Sequence, residues 1–319
     1  MPANLLGTGQ DLDNSSPTVF AEFKLVRDET AVMVGCARHV TLKAHSGATW
    51  RGNDYGRLVA FSVAEGADIA QNQALADTGY TVSPGDIAVQ VIVPGTTLRR
   101  TADSEIEMHV GQMLGNAYGL KEDADGIAQL TSFTTATLGA AGTVMSPGLA
   151  AALGAALRIG NSRTDPEPAP KPWNFILNPM SGVALEGRLI PFATTPAGAT
   201  AYGVNTGAHV GTSMTVGPDS EGRRMIKEGV GAVGQIAGMI LKYDANAEPD
   251  GSDDVVTAGF SREGLLYCEE VAAHPAHQDD DKSMRGAKEF NFWGAYGWGV
   301  HRPAANGRLI TVDASSATS

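Results

Sequence analysis

A glycine-rich segment, Gly229-Val230-Gly231-Ala232-Val233-Gly234, has the GxGxxG spacing of a dinucleotide-binding turn. Such a turn binds a pyrophosphate when a strand precedes it and a helix opens at it, because the amides of the helix N-terminus then meet the phosphates. Here the preceding residues, Arg223 to Glu228, are polar and helix-like, and the following residues resemble a strand. The order is inverted, so the sequence favours a glycine-rich bend, and no cofactor or cofactor-binding residue is predicted.

Two polar groups toward the C-terminus contain residue types that bind metal ions. His274 and His277 lie near Cys268 and the run Asp279 to Asp281, but the proline after His274 disrupts helical presentation, and the spacing matches no established zinc pattern. Asp244 to Asp254 is rich in carboxylates but lacks the ordered alternation and the final bidentate Glu of a calcium loop. We therefore expect a solvated loop and an exposed acidic turn, and we predict no metal ligands.

Catalytic residues are not predicted either. The sequence contains no nucleophile elbow and no recognisable Ser/His/Asp arrangement. His109 lies beside the apolar stripe of a predicted helix, and we interpret it as a residue at the boundary of that stripe. The chain is accordingly not expected to be an enzyme; an enzyme would require a convergent polar pocket, and no residues are nominated for one.

Charge and cysteine content restrict the possible partners. The formal net charge is −12, and the pairs Arg99-Arg100 and Arg223-Arg224 are too small to form the basic patch of a nucleic-acid binder. Tight DNA binding and adhesion to an anionic membrane are therefore not expected. Cys36 and Cys268 show no CxxC spacing and are predicted to be reduced and partly buried. The sequence shows no secretion signal and no apolar run of membrane-spanning length.

The clearest predicted element is a helix from Thr101 to Leu120. Thr101 is a suitable N-cap, and the acidic residues that follow it favour the positive end of a helix. Lys121 and the acidic run after it are expected to end the helix. Its apolar residues fall on one stripe at helical spacing: Ile106, Val110, Met113, Leu114, Ala117 and Leu120.

The residues before this helix predict an arm and a hairpin. Met1 to about Asp28 is polar and turn-rich, which is typical of an extended arm that lies across a neighbour. Arg38 to Lys43 is a candidate strand. Leu58 to Val63 and Asp86 to Val93 both alternate apolar and polar residues, which predicts two strands of a long hairpin. Because its hydrophobic face is thin, we expect this hairpin to pack on another chain.

The second half of the chain alternates helix and strand signals. Ser146-Pro147 predicts the start of a helix whose buried leucines are 149, 153 and 157, and Gly160 predicts its end. Trp173 to Leu177 predicts a buried strand, after which Asn178-Pro179 begins a short helix. Further strands are predicted over 234–243, 264–271, 290–300 and 309–312, while 193–220 is expected to be mostly loop and 221–228 helical.

The C-terminal section resembles the end of major capsid proteins of tailed bacteriophages with the Hong Kong 97-like fold. Those chains commonly carry a long strand ending near Tyr-Gly-x-Gly-Val-x-Arg-Pro, then a small turn and a last strand followed by Asp-Ala. The matching residues here are Tyr296, Gly297, Gly299, Val300, Arg302, Pro303, Gly307 and Thr311-Val312-Asp313-Ala314. Ala258 to Gly264 resembles the stretch that enters this section.

The resemblance implies an α+β fold and a division of the whole chain. It implies an N-terminal arm over residues 1–40, an extended E-loop hairpin over 41–100, a spine helix with part of the peripheral domain over 101–145, an axial domain over 146–257, and the C-terminal strands of the peripheral domain over 258–319. No long charged helix precedes the arm, so the resemblance implies a separate scaffolding protein or none.

The function implied by the resemblance is that of a capsid protein. Copies of the chain would assemble into hexamers and pentamers of an icosahedral shell that encloses phage double-stranded DNA without sequence-specific binding, with scaffolding, portal and decoration proteins as further partners. The chain would be made in the bacterial cytoplasm and reside in the virion. Two alternatives stay open: an encapsulin-like nanocompartment shell with the same fold, and another phage structural protein such as a tail-tube subunit, which predicts a smaller, mostly β chain.

Some members of this family form Lys–Asn isopeptide crosslinks between subunits. Lys43, with Asn291 or Asn306, has the residue types for such a bond. The reaction also needs a carboxylate placed nearby, which the sequence cannot identify, so no crosslinking residue is assigned.

Overall fold

The computed structural model describes residues 19, 21–27, 31–43, 47–55, 58, 60, 62–63, 65, 73–75, 77–94, 106–133, 137–160, 162, 166–189, 234–276 and 288–315. Helices span residues 21–27 (α1), Ile106–Leu130 (α2), Pro147–Ile159 (α3), Pro179–Leu189 (α4) and Pro303–Asn306 (α5). Strands are Arg38–Thr41 (β1), Trp50–Tyr55 (β2), Asp77–Val82 (β3), Gly85–Val93 (β4), Leu138–Val144 (β5), Trp173–Leu177 (β6), Gly234–Ile236 (β7), Met239–Tyr243 (β8), Asp254–Ser261 (β9), Leu265–Ala276 (β10), Lys288–Val300 (β11) and Gly307–Asp313 (β12). This mixture of helices and sheets confirms the predicted α+β class.

A four-stranded sheet with the order β1-β10-β11-β4 carries the long helix α2 on one face. β1 runs parallel to β10, and the other neighbours are antiparallel. Strands β4 and β11 were predicted from their alternating apolar residues, and the structure confirms both. Ile87, Val89, Val91 and Val93 of β4 pack into the same core as Leu114 of α2. The prediction that this β4 face would pack on another chain is therefore wrong.

Helix α2 is longer than predicted, and its buried face is rotated from the predicted stripe. Val110 and Leu114 are buried, but Met113 is 66% exposed and Leu120 is 39% exposed. The helix continues through the acidic run to Leu130, because Glu122 and Asp123 are inside the protein with hydrogen-bonding partners. The buried face is formed by small and polar residues as well as by apolar ones.

A six-stranded sheet with the order β5-β12-β9-β6-β8-β7 holds the second half of the chain. Helix α3 packs on it through Leu153 and Leu157, both fully buried, while Leu149 is only partly buried. The Ser146 hydroxyl caps α3 by accepting the Leu149 amide at 3.3 Å, and Gly160 ends the helix with φ +70°. Strand β6 is buried at every position, as predicted, including the polar Asn174.

The hairpin of the structure is formed by β2 and β3, which pair antiparallel from Trp50 opposite Val82 to Tyr55 opposite Asp77. The predicted pairing of Leu58–Val63 with Asp86–Val93 is wrong. β4 pairs with β11 instead, because its apolar face is needed in the core under α2. Leu58 and Val63 lie outside the strands and are 58% and 45% exposed.

Three shorter predictions need correction. The segment 234–243 is two antiparallel strands, β7 and β8, because Ala237 and Gly238 adopt positive φ and turn the chain. His274 lies on strand β10 and not in a loop. The acidic segment after β8 is exposed only in its middle, because Asp244 and Asp254 at its two ends are buried.

Several predictions fall outside the described residues. These are most of the arm before residue 19, the cap at Thr101, the loop and helix over 193–228, most of the GxGxxG segment, His277 and the aspartates at 279–281. For residues 19–27 the extended-arm prediction is wrong, because α1 packs against α2 with Val19 and Phe23 buried.

Candidate assembly sites

Helix α1 reaches the core because α2 presents glycine to it. A Cβ atom at Gly111 would lie 2.6 Å from the carbonyl oxygen of Val19, and one at Gly115 would lie 2.4 Å from that of Phe23. The Phe23 ring stacks on Phe292 of β11 with 4.1 Å between ring centroids. Helix α1 is therefore seated between the long helix and the end of the four-stranded sheet.

An ion pair fixes the C-terminal end of α1, and we refer to Arg27, Glu122 and Tyr267 as the helix anchor. Arg27 donates from Nε and Nη2 to the two carboxylate oxygens of Glu122, each at 2.7 Å. The Tyr267 hydroxyl donates to Glu122 Oε1, also at 2.7 Å. The guanidinium lies 5.4 Å from the centre of the Tyr118 ring. The bidentate ion pair and the Tyr267 hydrogen bond together join α1, α2 and β10.

Burial makes the helix anchor depend on all of its members. The Glu122 side chain has no exposed surface and the Arg27 side chain is only 14% exposed. Burial alone would lower the pKa of Arg27, but the hydrogen bond and charge of Glu122 raise that pKa above its ordinary value. Burial, followed by the Glu122 charge, raises the pKa of Tyr267, so its hydroxyl stays protonated and donates.

One residue further along α2, Asp123 connects the helix to two other segments. Its Oδ1 accepts the Met33 amide at 2.7 Å, and its Oδ2 accepts the Asn246 side-chain amide at 2.8 Å. Asp244, after β8, accepts the Asn246 backbone amide at 2.9 Å, so Asn246 donates to both carboxyl groups. Two buried carboxyl groups therefore meet where the long helix contacts the six-stranded sheet.

The base of the β2–β3 hairpin rests on the glycines of β11. A Cβ atom at Gly299 would lie 2.5 Å from Val82 Cγ2, and one at Gly297 would lie 2.7 Å from the Ser83 carbonyl oxygen. Val82 is 2% exposed and packs with Leu42, Leu266 and Cys268. The two glycines of the Tyr-Gly-x-Gly-Val segment thus make room for the hairpin base.

Arg302, in the same C-terminal segment, fixes the hairpin through ion pairs, and we refer to Arg302, Asp54 and Glu167 as the hairpin anchor. Its guanidinium binds the carboxylates of Asp54 on β2 and Glu167 before β6, and donates to the Tyr55 carbonyl at 2.8 Å. The hydrogen bond from Arg302 lowers the pKa of Asp54. Arg302 itself has a left-handed φ of +47° and lies directly before α5.

An aromatic stack completes the hairpin base. The His301 ring stacks on Tyr80 of β3 at 4.5 Å, and Tyr80 in turn contacts Trp50 of β2 at 5.6 Å between centroids. The end of the hairpin that carries Val82 and Trp50 is thus packed in the subunit, and Arg302 contacts the opposite end of β2 at Asp54 and Tyr55. Away from this base, Leu75 before β3 is 67% exposed and Tyr55 at the end of β2 is 55% exposed.

The described residues among those considered from sequence do not converge on a catalytic or metal site. Gly234 begins the edge strand β7, and His109 lies exposed on α2. The His274 Nδ1 atom is 3.0 Å from the Ala272 carbonyl oxygen. Cys36 and Cys268 are free and buried. Among the described residues, no group of three His, Cys, Asp or Glu side chains is arranged to bind a metal ion, and no helix is long and apolar enough to cross a membrane.

The candidate crosslinking residues differ in their exposure and in their hydrogen bonds. Lys43 is exposed beside the hairpin base. Asn306 is only 3% exposed, and its side-chain amide donates to the His301 carbonyl at 3.1 Å. Asn291 lies on β11 and donates to Glu289 at 2.8 Å. The buried and engaged Asn306 amide cannot meet a lysine of another subunit without local opening.

Sequence reasoning did not assign roles to Arg27, Glu122 or Arg302. Arg302 was quoted only as part of the C-terminal motif. One signal could have identified Arg27, since Val19, Phe23 and Arg27 are spaced four residues apart and share a helical face. Glu122 lies four residues after the buried Tyr118, so the same spacing would have placed it on the inner face of α2.

Comparison of the fold with solved structures gives consistent neighbours. The capsid of a native GTA particle superposes with a TM-score of 0.59 at 15% identity, covering 89% of this chain and 90% of that one. The capsid of Ralstonia phage GP4 gives 0.57 at 14% identity, covering 89% and 88%. A Mycobacterium phage Che8 structure gives 0.55 at 14% identity, covering 90% and 92%. Neither a protein-family model nor a curated protein matches the sequence. The chain therefore has the fold of phage capsid proteins.

Proposed function

We propose that this chain is the major capsid protein of a tailed bacteriophage, which self-assembles into hexamers and pentamers of an icosahedral shell around double-stranded DNA. Its role is assembly and not catalysis. The fold is that of phage capsid proteins over about nine-tenths of the chain, and the solved chains are covered to a similar extent. The chain thus spans most of the length of the solved chains that it matches.

The observation that carries the proposal is the way in which the hairpin is attached. Its base packs on Gly297 and Gly299 and in the aromatic stack, and the hairpin anchor holds β2 at its other end, at Asp54 and Tyr55. β2 alternates between half-buried and exposed residues, and β3 is exposed except at the half-buried Tyr80 and the buried Val82. A two-stranded hairpin is marginal in water, so a hairpin whose residues are mostly exposed needs a further surface. A second copy of the chain supplies that surface in a shell.

The proposed parts of the subunit follow the sequence ranges, with the hairpin now identified as β2–β3. Residues 1–40 form an arm in which α1 and the start of β1 pack on their own subunit. Residues 41–100 contain the hairpin, 101–145 the spine helix, 146–257 the axial domain and 258–319 the C-terminal peripheral strands. The net charge of −12 suits a shell that encloses DNA without binding it tightly.

Electron microscopy of the purified chain, expressed alone and with a scaffolding protein, tests the proposal. We expect capsomers or closed shells in at least one condition. Monodisperse monomers under every condition would overturn it. Shells recovered from phage-infected cells should contain DNA, whereas a protein cargo would favour the encapsulin-like alternative.

A variant pair links assembly to the hairpin. Arg302→Gln removes the ion pairs to Asp54 and Glu167 and should reduce shell yield at least several-fold while the subunit stays folded. Arg38→Gln is the matched control, because it removes an exposed pair with Glu263 whose side chains are 43% and 42% exposed. Equal yields from both variants, with intact folding by circular dichroism, would argue against a role for the anchored hairpin.

A further inference from the structure

The buried carboxyl groups of Asp123 and Asp244 are not explained by the shell-building role. Asp123 has no exposed surface and Asp244 is 4% exposed. They belong to different parts of the fold, since Asp123 lies on α2 and Asp244 follows β8 of the six-stranded sheet. Two ionised carboxylates in contact inside a protein repel each other strongly, so such pairs hold a proton.

The hydrogen bonds around the pair leave one oxygen for that proton. Both oxygens of Asp123 accept N–H groups, from Met33 and from Asn246. Asp244 Oδ1 accepts the Asn246 backbone amide. Asp244 Oδ2 is buried and receives no N–H or O–H donor from the described residues. A proton on Asp244 satisfies both groups, because it makes Asp244 the donor.

The other polar groups at this place do not neutralise the pair. The Cys36 thiol faces it from the segment before β1, and burial raises the pKa of that thiol, so it stays neutral. Burial has the largest effect on the pKa of Cys36, and the charge of Lys242 on β8 acts on the same thiol by lowering that pKa. Met33 and Asn246 contribute only neutral N–H donors. Burial, followed by the hydrogen bond and charge of Asp123, raises the pKa of Asp244 to about 8.

We propose that Asp123 and Asp244 share a single proton, and that this proton controls how tightly the long helix is held against the six-stranded sheet. With the proton present, Asp244 donates to Asp123 and the contact is closed. When the proton is lost, two adjacent carboxylates repel each other and the contact weakens. The device is a property of the single subunit and does not require that the chain form shells.

The sign of the pH dependence follows from linkage. In the unfolded chain Asp244 loses its proton near the ordinary pKa of 3.8, whereas in the folded chain it keeps it to about pH 8. The folded state therefore binds one more proton between these values, and stability falls as pH rises through that window. One proton changes the unfolding equilibrium constant by up to about tenfold per pH unit.

The test compares the wild-type subunit with Asp244→Asn in urea unfolding from pH 4 to pH 9. Asparagine keeps the acceptor for Asn246 and supplies a permanent N–H donor to Asp123. Between pH 4 and 8 we expect the unfolding equilibrium constant of the wild type to rise by up to about tenfold per pH unit relative to that of the variant. Asp253→Asn is the matched control, since Asp253 is exposed in the same loop with a φ of +62° that asparagine tolerates.

A direct measurement keeps the proposal testable even if the variant folds poorly. Infrared spectra of the wild-type protein near pH 6 should show the C=O band of a protonated carboxylic acid, which titrates away near pH 8. The band should persist in Asp253→Asn and be absent from Asp244→Asn. In addition, exchange of the Met33 amide, corrected for the intrinsic effect of pH, should accelerate above pH 8. Parallel pH profiles of wild type and Asp244→Asn, or no acid band in wild type, would overturn the shared proton.

Discussion

At the scale of single residues, the helix anchor combines a buried charge pair with a tyrosine hydroxyl. A buried ion pair gains little net stability over an apolar replacement, because removing two charges from water costs several kcal/mol per ion. Breaking such a pair is different, because the remaining charge has no compensation. Glu122 therefore makes α1 necessary to the stability of α2 and β10.

Replacing Arg27 alone should show this asymmetry. Arg27→Met leaves the fully buried Glu122 carboxylate with only Tyr267, and we expect the free energy of unfolding to fall by about 3–5 kcal/mol. Urea unfolding of the subunit at neutral pH measures the change. The double variant Arg27→Met, Glu122→Met should recover most of the loss, because it removes both charges.

A surface pair on α2, the helix that carries Glu122, provides the control for Arg27. Lys121 and Asp125 form an exposed ion pair four residues apart, and such pairs contribute about 0.3–0.5 kcal/mol. Lys121→Met should therefore change stability by less than about 0.5 kcal/mol. If Arg27→Met were equally mild, the helix anchor would be a surface interaction in solution.

The polar contacts at this scale could be predicted only in part from the sequence. The caps at Ser146 and Asn178 follow from their local sequence, and the structure contains both. Glu122 and Asp123 lie in an acidic run that is typical of a solvated helix end. Their burial depends on Arg27, Met33 and Asn246, which are remote in the sequence, so no local pattern could indicate it.

At the scale of elements, glycines decide which segments come together. Gly111 and Gly115 weaken a helix by intrinsic propensity, at about 1 kcal/mol each relative to alanine. Here they allow the backbone of α1 to approach α2 to a distance that no side chain would permit. The packing of α1 outweighs the propensity of α2.

Substitution of Gly115 should reverse the usual sign of a glycine-to-alanine change. The added Cβ would overlap the Phe23 carbonyl oxygen, so we expect Gly115→Ala to destabilise the subunit by about 1–3 kcal/mol. Gly148→Ala on α3 is the control, because the nearest atom to its Cβ is the Ser146 hydroxyl oxygen at 3.8 Å. That change should stabilise the protein by up to about 1 kcal/mol. Stabilisation by both changes would mean that α1 is not seated on α2.

The position of a strand could be predicted from a local alternating pattern, but the strand with which it pairs could not. Val89 and Phe292 lie in alternating runs that predict β4 and β11, and both strands form. The pairing of β2 with β3 was missed because Trp50–Tyr55 lies in a polar, glycine-containing stretch with little alternation. Leu58–Val63 has the better pattern, but its described residues, Leu58, Ala60, Ser62 and Val63, lie outside the strands.

At the scale of the whole molecule, the order of the elements was more informative than any single motif. The Tyr296-to-Pro303 segment alone describes a glycine-broken aromatic strand. Its structural role comes from contacts with distant segments. Gly297 and Gly299 make room for the hairpin base, and Arg302 forms ion pairs with residues 135 and 248 positions away in the sequence. These distant contacts explain why a resemblance over the full chain predicted the fold while local patterns did not.

The anchored hairpin leads to a prediction about the assembled state. In the isolated subunit, amides of β2 and β3 away from the base should exchange with solvent rapidly, because a two-stranded hairpin without a packing surface is only marginally stable. In shells, a neighbouring subunit should cover the hairpin and slow its exchange by at least about tenfold, since burial of even modest apolar area stabilises by more than 1.4 kcal/mol. Hydrogen exchange read by mass spectrometry on both states measures this change.

Peptides from β6, which is buried at every position, provide the internal control and should be equally protected in both states. Equal protection of the hairpin in subunits and shells would show that it is not an intersubunit contact.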